Sequence, residues 1–172
     1  KNKRYFDEKM RDEFNRAIRE NSPISLIIID VDHFKKVNDI YGHLIGDECL
    51  KEMSSALKSK FNRAMDTLAR IGGEEFAVLL PTLHNDQAMA LAEKLRRKIE
   101  KISIQYGDQH VTFTASLGVS TRYPSEESHT HELFKRADRA LYEAKHLGRN
   151  RVVSAPALGH YSDEVGRSTS NC

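Results

Sequence analysis

The chain has 172 residues, of which 39% are hydrophobic and 30% charged, and these proportions predict one globular domain with an adequate hydrophobic core. Its formal net charge of +2 is too balanced to indicate binding to nucleic acid or to a membrane surface. The sequence has neither an apolar run long enough to cross a membrane nor a signal-peptide pattern. Its two cysteines make no disulfide framework, so a cytoplasmic location is expected. Because the chain opens with Lys1 rather than Met, we expect it to be a piece of a longer protein.

Helices and strands alternate along the predicted chain. A charged helix is expected over 4–20, followed by a buried strand over 24–30, a helix over 46–61 and a hairpin over 66–81. The remaining predicted elements are a helix over 86–103, a strand over 111–120, a helix over 130–146 and a short strand over 151–153. The composition of 154–172 is typical of a disordered tail or a cloning remnant. This order predicts a layered fold of helices around a mixed sheet.

The first predicted strand ends in two aspartates that flank a valine, Asp30-Val31-Asp32. In an extended chain the side chains of Asp30 and Asp32 point to one side and that of Val31 to the other. Carboxylates at the end of a buried strand are costly unless a cation or hydrogen bonds compensate them. We therefore interpret Asp30 as a metal ligand and Asp32 as a cap for the turn that follows.

The hairpin is centred on Gly72-Gly73, which is followed at once by Glu74 and Glu75. Its apolar flanks predict strands, and the two glycines predict a two-residue turn with positive φ. The glutamates would then lie at a tip of bare backbone, where a bulky anion can approach if a divalent cation accompanies it. A solvated surface turn explains the same four residues equally well, so this segment alone leaves both interpretations open.

Two separated strings are similar to the GGDEF domain of diguanylate cyclases, in its GGEEF variant: DVDHFKKVNDIYGHLIGDE at 30–48 and RIGGEEF at 70–76. These enzymes condense two GTP molecules into cyclic di-GMP and release pyrophosphate. The resemblance implies an N-terminally truncated catalytic domain over 1–153. It also implies an α+β fold with a ferredoxin-like, palm-like nucleotidyl-cyclase core, in which helices flank a mixed central sheet. The GGEEF β-hairpin would then lie beside Asp30 at one edge of this sheet.

The same resemblance implies two divalent metal ions per active site, Mg²⁺ or Mn²⁺. Carboxylates and phosphate oxygens are the ligands that Mg²⁺ prefers. The implied protein ligands are Asp30, the main-chain carbonyl of Val31, Glu74 and Glu75. The catalytic residues would be Glu74, Glu75 and Lys35, with Lys35 stabilising charge in the transition state. The sequence does not separate Glu74 from Glu75 as the acceptor of the 3′-hydroxyl proton.

Substrate contacts are implied for eight positions: Phe34, Asn38, His43, Asp47, Gly72, Gly73, Lys145 and Arg149. Asn38 and Asp47 would read the guanine base: its N1–H and N2–H₂ edge demands an acceptor, and a side-chain amide can read its N3 edge. Adenine would leave these polar groups unpaired. Lys145 and Arg149, in the string KHLGRN, would contact phosphates. Complementing a helix dipole is the alternative for this pair, and a structural turn histidine is the alternative for His43.

Arg63 and Asp66 match the position of the family's RxxD site, which binds cyclic di-GMP and inhibits the enzyme. An arginine can clamp a phosphate or guanine, and an aspartate can accept from the guanine edge. Since each domain binds one GTP, the implied enzyme is a homodimer. An upstream sensory or dimerising region, in some arrangements a membrane anchor, is expected to be missing from this chain. Two alternatives remain open: a catalytically weak module that acts as a GTP or cyclic di-GMP receptor, and a cyclase with another nucleotide product.

Overall fold

The computed structural model describes residues 2–61 and 63–156. The described helices are α1 (Lys3–Glu20), α2 (Phe34–Tyr41), α3 (His43–Lys58), α4 (Asn85–Glu100) and α5 (Thr130–His146). The described strands are β1 (Ile24–Val31), β2 (Thr67–Arg70), β3 (Glu75–Pro81), β4 (Ser103–Tyr106), β5 (Gln109–Thr112), β6 (Ala115–Arg122) and β7 (Val152–Ser154). None of the described helices is long and apolar enough to cross a membrane.

A five-stranded mixed sheet in the order β2-β3-β1-β6-β7 forms the centre of the domain. Neighbouring strands are antiparallel except for the parallel pair β6 and β7. Strand β1 is buried on both faces: Leu26 and Ile28 pack with α1 and α5, and Ile27 and Ile29 pack with α2, α3 and α4. Each such isoleucine or leucine contributes roughly 1.5–3 kcal/mol by leaving water. The α+β fold with a mixed central sheet flanked by helices is therefore confirmed.

Helix α2 was not among the elements expected from the sequence. Its eight residues bury only Phe34 and Val37, too few apolar positions for a clear helical period. The left-handed conformation of His33, with φ 54°, turns the chain from β1 into this helix, and Gly42, with φ 90°, separates it from α3. Helix α3 consequently begins at His43 and ends at Lys58, three residues earlier at each end than predicted.

The single strand predicted over 111–120 is wrong, because the chain breaks between β5 and β6. The buried side chains of Val111, Phe113 and Ala115 keep alternating across the break, which hides it in the sequence. Strand β5 pairs instead with the unpredicted strand β4, in a separate hairpin turned at Gly107 with φ 58°. At the other end of the chain, β7 includes Ser154, one residue beyond the predicted domain boundary. The rest of the predicted tail, from 157, lies outside the described residues.

Helix α5 lies against β6 at an unusually short distance. A Cβ atom added to Gly118 would come within 2.1 Å of the Ala137 carbonyl oxygen and 2.3 Å of the Leu141 amide nitrogen. Only a glycine permits this approach of helix backbone to strand. The contact fixes the height of α5 above the sheet, and with it the position of Lys145 in its last turn.

Candidate active site

The end of β1 and the start of β3 lie side by side at one edge of the sheet. Asp30 and Glu75 are paired in register on these antiparallel strands. The Val31 amide donates to the Glu74 carbonyl at 3.3 Å, which ties the hairpin to the end of β1. The structure therefore brings Asp30, Val31, Glu74 and Glu75 together, as the resemblance implied.

The carboxylates at this edge are crowded and partly buried. Burial raises the pKa of Asp30, and Glu74 and Asp32 raise it further, while the ammonium of Lys145 opposes the shift. Lys145 Nζ lies 3.0 Å from Asp30 Oδ2. Burial likewise raises the pKa of Glu75, and Asp30 is the largest of the charges that add to the effect. Such a cluster favours an added cation, because each carboxylate resists ionisation beside the others.

The residues at this edge fit a divalent ion that prefers oxygen ligands. Asp30, Glu74 and Glu75 offer carboxylate oxygens, and Val31 offers its carbonyl. Within 2–61 and 63–156, no three or more His, Cys, Asp or Glu side chains are arranged as a ready-made metal site. Divalent ions that prefer oxygen can bind one or two carboxylates of a protein and complete their shell with water.

The expected two-residue turn with positive φ at Gly72-Gly73 is wrong. Residues 71–74 connect the strands, and neither glycine has a positive φ. The Glu75 carbonyl accepts from Ile71 N at 2.9 Å and from Gly72 N at 3.3 Å, while the Arg70 guanidinium donates to the Gly73 carbonyl at 2.6 Å. A Cβ on Gly73 would meet nothing within 4 Å. Gly73 thus leaves open space at an exposed tip, which a ligand can approach, whereas a Cβ on Gly72 would lie 3.3 Å from Glu75 Cβ.

The predicted base-reading residues lie on α2 and α3. A Cβ on Gly46 would come within 1.8 Å of Asn38 Oδ1 and 3.2 Å of the Phe34 ring, so Asn38 packs directly over Gly46. Asn38 Oδ1 is buried and has no hydrogen-bond partner. A buried acceptor without a partner is costly, typically about 1–3 kcal/mol. A rotation of the Asn38 amide that brought this oxygen to a ligand N–H donor would remove this cost.

Asp47 is exposed, one residue after Gly46, and His43 is exposed at the start of α3. A cleft of about 700 Å³ runs between α3 and β2 from Asp47 to Arg70. A larger groove of about 900 Å³ lies between α1 and the start of α5, and none of the predicted site residues lines it. Although the groove beside α1 is the larger of the two, it is therefore not the candidate active site.

Three cationic side chains lie at the ends of elements that reach the acidic edge. Lys35 is exposed in the first turn of α2, directly after β1, and Phe34 before it is buried, which leaves its backbone as the available contact. Lys145 is bonded to Asp30 and not to helix carbonyls, which favours a site role over a dipole role. Arg149 is exposed with φ 65°, just after Gly148 with φ 120°. Neither Lys35 nor Arg149 has an ion-pair partner within the described ranges.

Arg63 and Asp66 lie close to one another, between α3 and β2. Arg63 Nε is 3.4 Å from Asp66 Oδ1, and the same guanidinium donates to the Pro81 carbonyl and to Thr82 Oγ1. Burial raises the pKa of Asp66, and Arg63 opposes the shift. Pro81 ends β3, whereas Glu75 begins this seven-residue strand. At about 3.3 Å per residue, the pair therefore lies roughly 20 Å from the hairpin tip.

Asp32 does not cap the following turn, as its position in the sequence had suggested. His33 precedes α2 without a capping side chain, and the Asp32 carboxylate instead accepts from Thr114, Ser116 and the Asn150 amide. Sequence reasoning missed this arrangement, because its partners come from residues 82 to 118 positions away. The sequence offered one signal: Asn150 directly follows Arg149, which is one of the predicted substrate-contacting residues.

The mixed sheet with a glycine-rich hairpin beside an acidic strand end defines an α+β domain of the nucleotidyl-cyclase type. The sequence model described as "Diguanylate cyclase, GGDEF domain" matches residues 1–151, so the chain belongs to this family. Diguanylate cyclase A of Treponema denticola is 42% identical over 139 residues, which cover 81% of this chain and 37% of that protein.

Solved structures agree with this assignment. The active GGEEF domain of a diguanylate cyclase from Vibrio cholerae has a TM-score of 0.81 at 34% identity, covering 90% of this chain and 96% of that one. The GGDEF domain of DgcB from Caulobacter crescentus, solved in complex with c-di-GMP, has a TM-score of 0.84 at 29% identity, covering 90% of this chain and 88% of that one. The chain spans about a third of the length of the curated relatives it matches.

Proposed function

We propose that this chain is the catalytic domain of a diguanylate cyclase that condenses two GTP molecules into cyclic di-GMP and releases pyrophosphate. The observation that carries the proposal is the meeting of Asp30 on β1 with Glu74 and Glu75 at a bare, exposed hairpin tip. Membership of the family and its named cyclase relatives support the same reaction. The curated relatives are about three times as long as this chain. A further region of this protein would supply the input that sets the rate.

Recognition of guanine is assigned to Asn38 and Asp47. The Asn38 amide, whose Oδ1 is buried over Gly46 without a partner, turns toward the base and reads its N3 edge. The exposed Asp47 carboxylate accepts from the N1–H and N2–H₂ edge. Adenine presents no such donor pair, so it would leave this acceptor unpaired and bind far more weakly. His43, at the start of α3, contacts the same nucleotide.

The triphosphate is held by cations and by backbone. Lys35 follows the end of β1, Lys145 contacts Asp30, and Arg149 follows α5, so all three are assigned to the phosphates. The Phe34 amide lies at the positive end of α2. In the protein without ligand, Lys145 Nζ lies 3.0 Å from Asp30 Oδ2 and neutralises this carboxylate. When another cation binds Asp30, Lys145 can move to a phosphate. Gly72 and Gly73 provide the surface over which the phosphates lie.

Asp30, Glu74 and the Val31 carbonyl would hold Mg²⁺ or Mn²⁺, and Glu75 would serve a second ion. Bound there, divalent ions neutralise the triphosphate and lower the pKa of the ribose 3′-hydroxyl. Glu74 or Glu75 accepts the proton when the hydroxyl oxygen attacks the α-phosphate of the other nucleotide.

Two copies of the domain are required, because one hairpin tip binds one GTP. A dimer with two-fold symmetry presents each 3′-hydroxyl to the α-phosphate of the other nucleotide, so both bonds form in equivalent geometry. Arg63 and Asp66 bind the product at a separate position, roughly 20 Å along β3 from the tip. Product bound there would inhibit the enzyme by holding the two tips apart.

Glu74→Ala tests the proposal against the alternative of a receptor without catalysis. We expect turnover of GTP to fall by about a hundredfold or more, the scale seen when a charge-stabilising group is removed. Binding of cyclic di-GMP, measured by calorimetry, should survive because Arg63 and Asp66 are untouched. The matched variant Arg63→Ala should keep turnover of GTP and lose binding of cyclic di-GMP. Wild-type protein that binds cyclic di-GMP but forms none of it would support the receptor.

A further inference from the structure

The carboxylate of Asp32 is buried and fully engaged. Its side chain accepts from Thr114 Oγ1 at 2.7 Å, from Ser116 Oγ at 2.6 Å and from the Asn150 backbone amide at 2.9 Å. Asp32 is 5% exposed, and its own amide donates to the Thr114 carbonyl at 2.9 Å. An aspartate held in this way is a poor metal ligand and a strong anchor, since charge-assisted hydrogen bonds are the more stable kind.

The side chain of Asn150 is anchored on the opposite side. Its Oδ1 accepts from Arg96 Nη1 at 2.8 Å, and its Nδ2 donates to Glu100 Oε2 at 2.6 Å, both on α4. Arg96 is itself held by Glu93 at 2.6 Å. Asn150 therefore joins the end of β1 to α4, with its backbone on Asp32 and its side chain on Arg96 and Glu100.

The segment that these bonds fix has an unfavourable backbone. Gly148, Arg149 and Asn150 follow one another with φ values of 120°, 65° and 44°. An arginine rarely adopts the left-handed region, and such a conformation persists only where surrounding contacts over-determine it. The Arg149 amide donates to the Ala144 carbonyl at 3.0 Å, and its carbonyl accepts from Arg151 Nε at 3.0 Å. The segment is thus bound to the end of α5 before Arg149 and to Asp32 after it.

We propose that Asp32 and Asn150 form a clamp that positions Arg149 for the triphosphate, an inference that rests on the proposed function. Asp30 and Asp32 are two residues apart on one strand end. That strand end therefore sets the place of the metal-binding carboxylate and, through Asn150, the place of a phosphate-binding cation. Asp32 and Asn150 are positioning residues, because they act on the substrate only through Arg149.

A double-mutant cycle tests the clamp. Asp32→Asn keeps the size of the side chain but brings a donor to a site where three donors converge. We expect it to lower kcat/KM for GTP by about ten- to a hundredfold, the scale of a misplaced binding group. In the background of Arg149→Gln, which removes the charge being positioned, Asp32→Asn should change kcat/KM by less than about twofold. Equal losses in both backgrounds would overturn the clamp.

A second variant keeps the test decisive if Asp32→Asn does not fold. Asn150→Gly retains the backbone amide and tolerates φ 44°, but it removes both bonds to α4. It should show the same coupling to Arg149→Gln. The control is Ser25→Ala, at the other end of β1, which removes buried bonds to Thr121 and to the Leu83 carbonyl. Its effects should add to those of Arg149→Gln.

Affinity for 3′-deoxy-GTP, which lacks the attacking hydroxyl, separates the clamp from the proposed reaction. The same coupling should appear in its dissociation constants. If the couplings appear but wild-type protein forms no cyclic dinucleotide, the clamp stands and the proposed function fails. If wild-type protein forms cyclic di-GMP but the effects of Asp32→Asn and Arg149→Gln simply add, the clamp fails and the function stands. Wild-type protein that binds no 3′-deoxy-GTP would overturn the clamp.

Discussion

Three residues of the candidate site reduce the stability of the protein without ligand. Asn38 Oδ1 is buried without a hydrogen-bond partner, and the pKa values of Asp30 and Glu75 are both raised by burial. Each feature is unfavourable in the folded chain alone and is relieved by a donor or a cation. Such local costs are typical of sites whose groups are arranged for a ligand, and not for stability.

Gly46 controls the position of the Asn38 amide. In Gly46→Ala the new Cβ would lie 1.8 Å from Asn38 Oδ1, so the side chain must move. We expect kcat/KM for GTP to fall by about tenfold or more and discrimination against ATP to weaken, as measured by steady-state kinetics with each nucleotide. Glu52→Ala, exposed on the same helix, is the control and should change neither quantity. Unchanged discrimination in Gly46→Ala would contradict the role of Asn38.

Glu75 links the site to stability. Because its pKa is raised above the ordinary value of 4.5, the folded protein keeps this proton at pH values where the unfolded chain has lost it. The contribution of Glu75 to the free energy of unfolding therefore becomes less favourable as pH rises from about 4.5 through the raised pKa. Above that pKa the ionised, partly buried carboxylate is a net cost.

We therefore expect Glu75→Gln to increase the free energy of unfolding at pH 7, without metal, by roughly 0.5–1 kcal/mol. The advantage should shrink as pH falls toward 4.5, the ordinary value for this carboxyl. Urea denaturation in a chelating buffer at several pH values measures it, with the exposed Glu126→Gln as the control. Stabilisation that is independent of pH would contradict the assignment.

At the scale of elements, α5 carries Lys145 to the acidic edge, and Gly118 sets its height above the sheet. In Gly118→Ala a Cβ would meet the Ala137 carbonyl at 2.1 Å, so the helix must lift. We expect a loss of about 1–3 kcal/mol in the free energy of unfolding, the usual cost of overpacking. Turnover measured well below the melting temperature should also fall, since Lys145 moves with α5. Reduced stability with unchanged turnover would show that the height of α5 is not critical.

The elements also show what the sequence could predict. The isoleucine run of β1 and the helical spacing in α1, α4 and α5 predicted those elements, because one residue pattern determined each. Helix α2 was missed, since Phe34 and Val37 are its only buried residues. The break at Phe113 was hidden because burial alternates across it. The partners of Asp32 depend on tertiary contacts, which no local pattern encodes.

The predicted site residues were available from the sequence for a different reason. Gly72, Gly73, Glu74 and Glu75 form a contiguous string whose spacing to Asp30 resembles a known family. The resemblance implied that the two acidic segments meet, and the register of Asp30 with Glu75 agrees. The resemblance did not predict the backbone geometry of the hairpin tip. Gly72 and Gly73 do not adopt the positive φ that a pair of glycines in a two-residue turn suggested.

At the scale of the whole molecule, the two proposed sites lie at opposite ends of β3. The acidic edge and hairpin tip lie at its start, and Arg63 and Asp66 lie near its end at Pro81. The buried strand β3 separates them. In the proposed enzyme, product bound near Pro81 would therefore act on the reaction by changing how two copies are placed. One copy of the proposed enzyme supplies half of the active site. Its rate should therefore depend on the fraction of the protein that is dimeric.

The most direct measurement is turnover of GTP with Mg²⁺ at high protein concentration, with the product identified by mass spectrometry. We predict cyclic di-GMP and two pyrophosphates per product, at a rate that rises more than linearly with protein concentration. Added cyclic di-GMP should slow the reaction in the wild-type protein and not in Arg63→Ala. Absence of cyclic di-GMP, even when the chain is fused to a dimerising coiled coil, would contradict the proposed function.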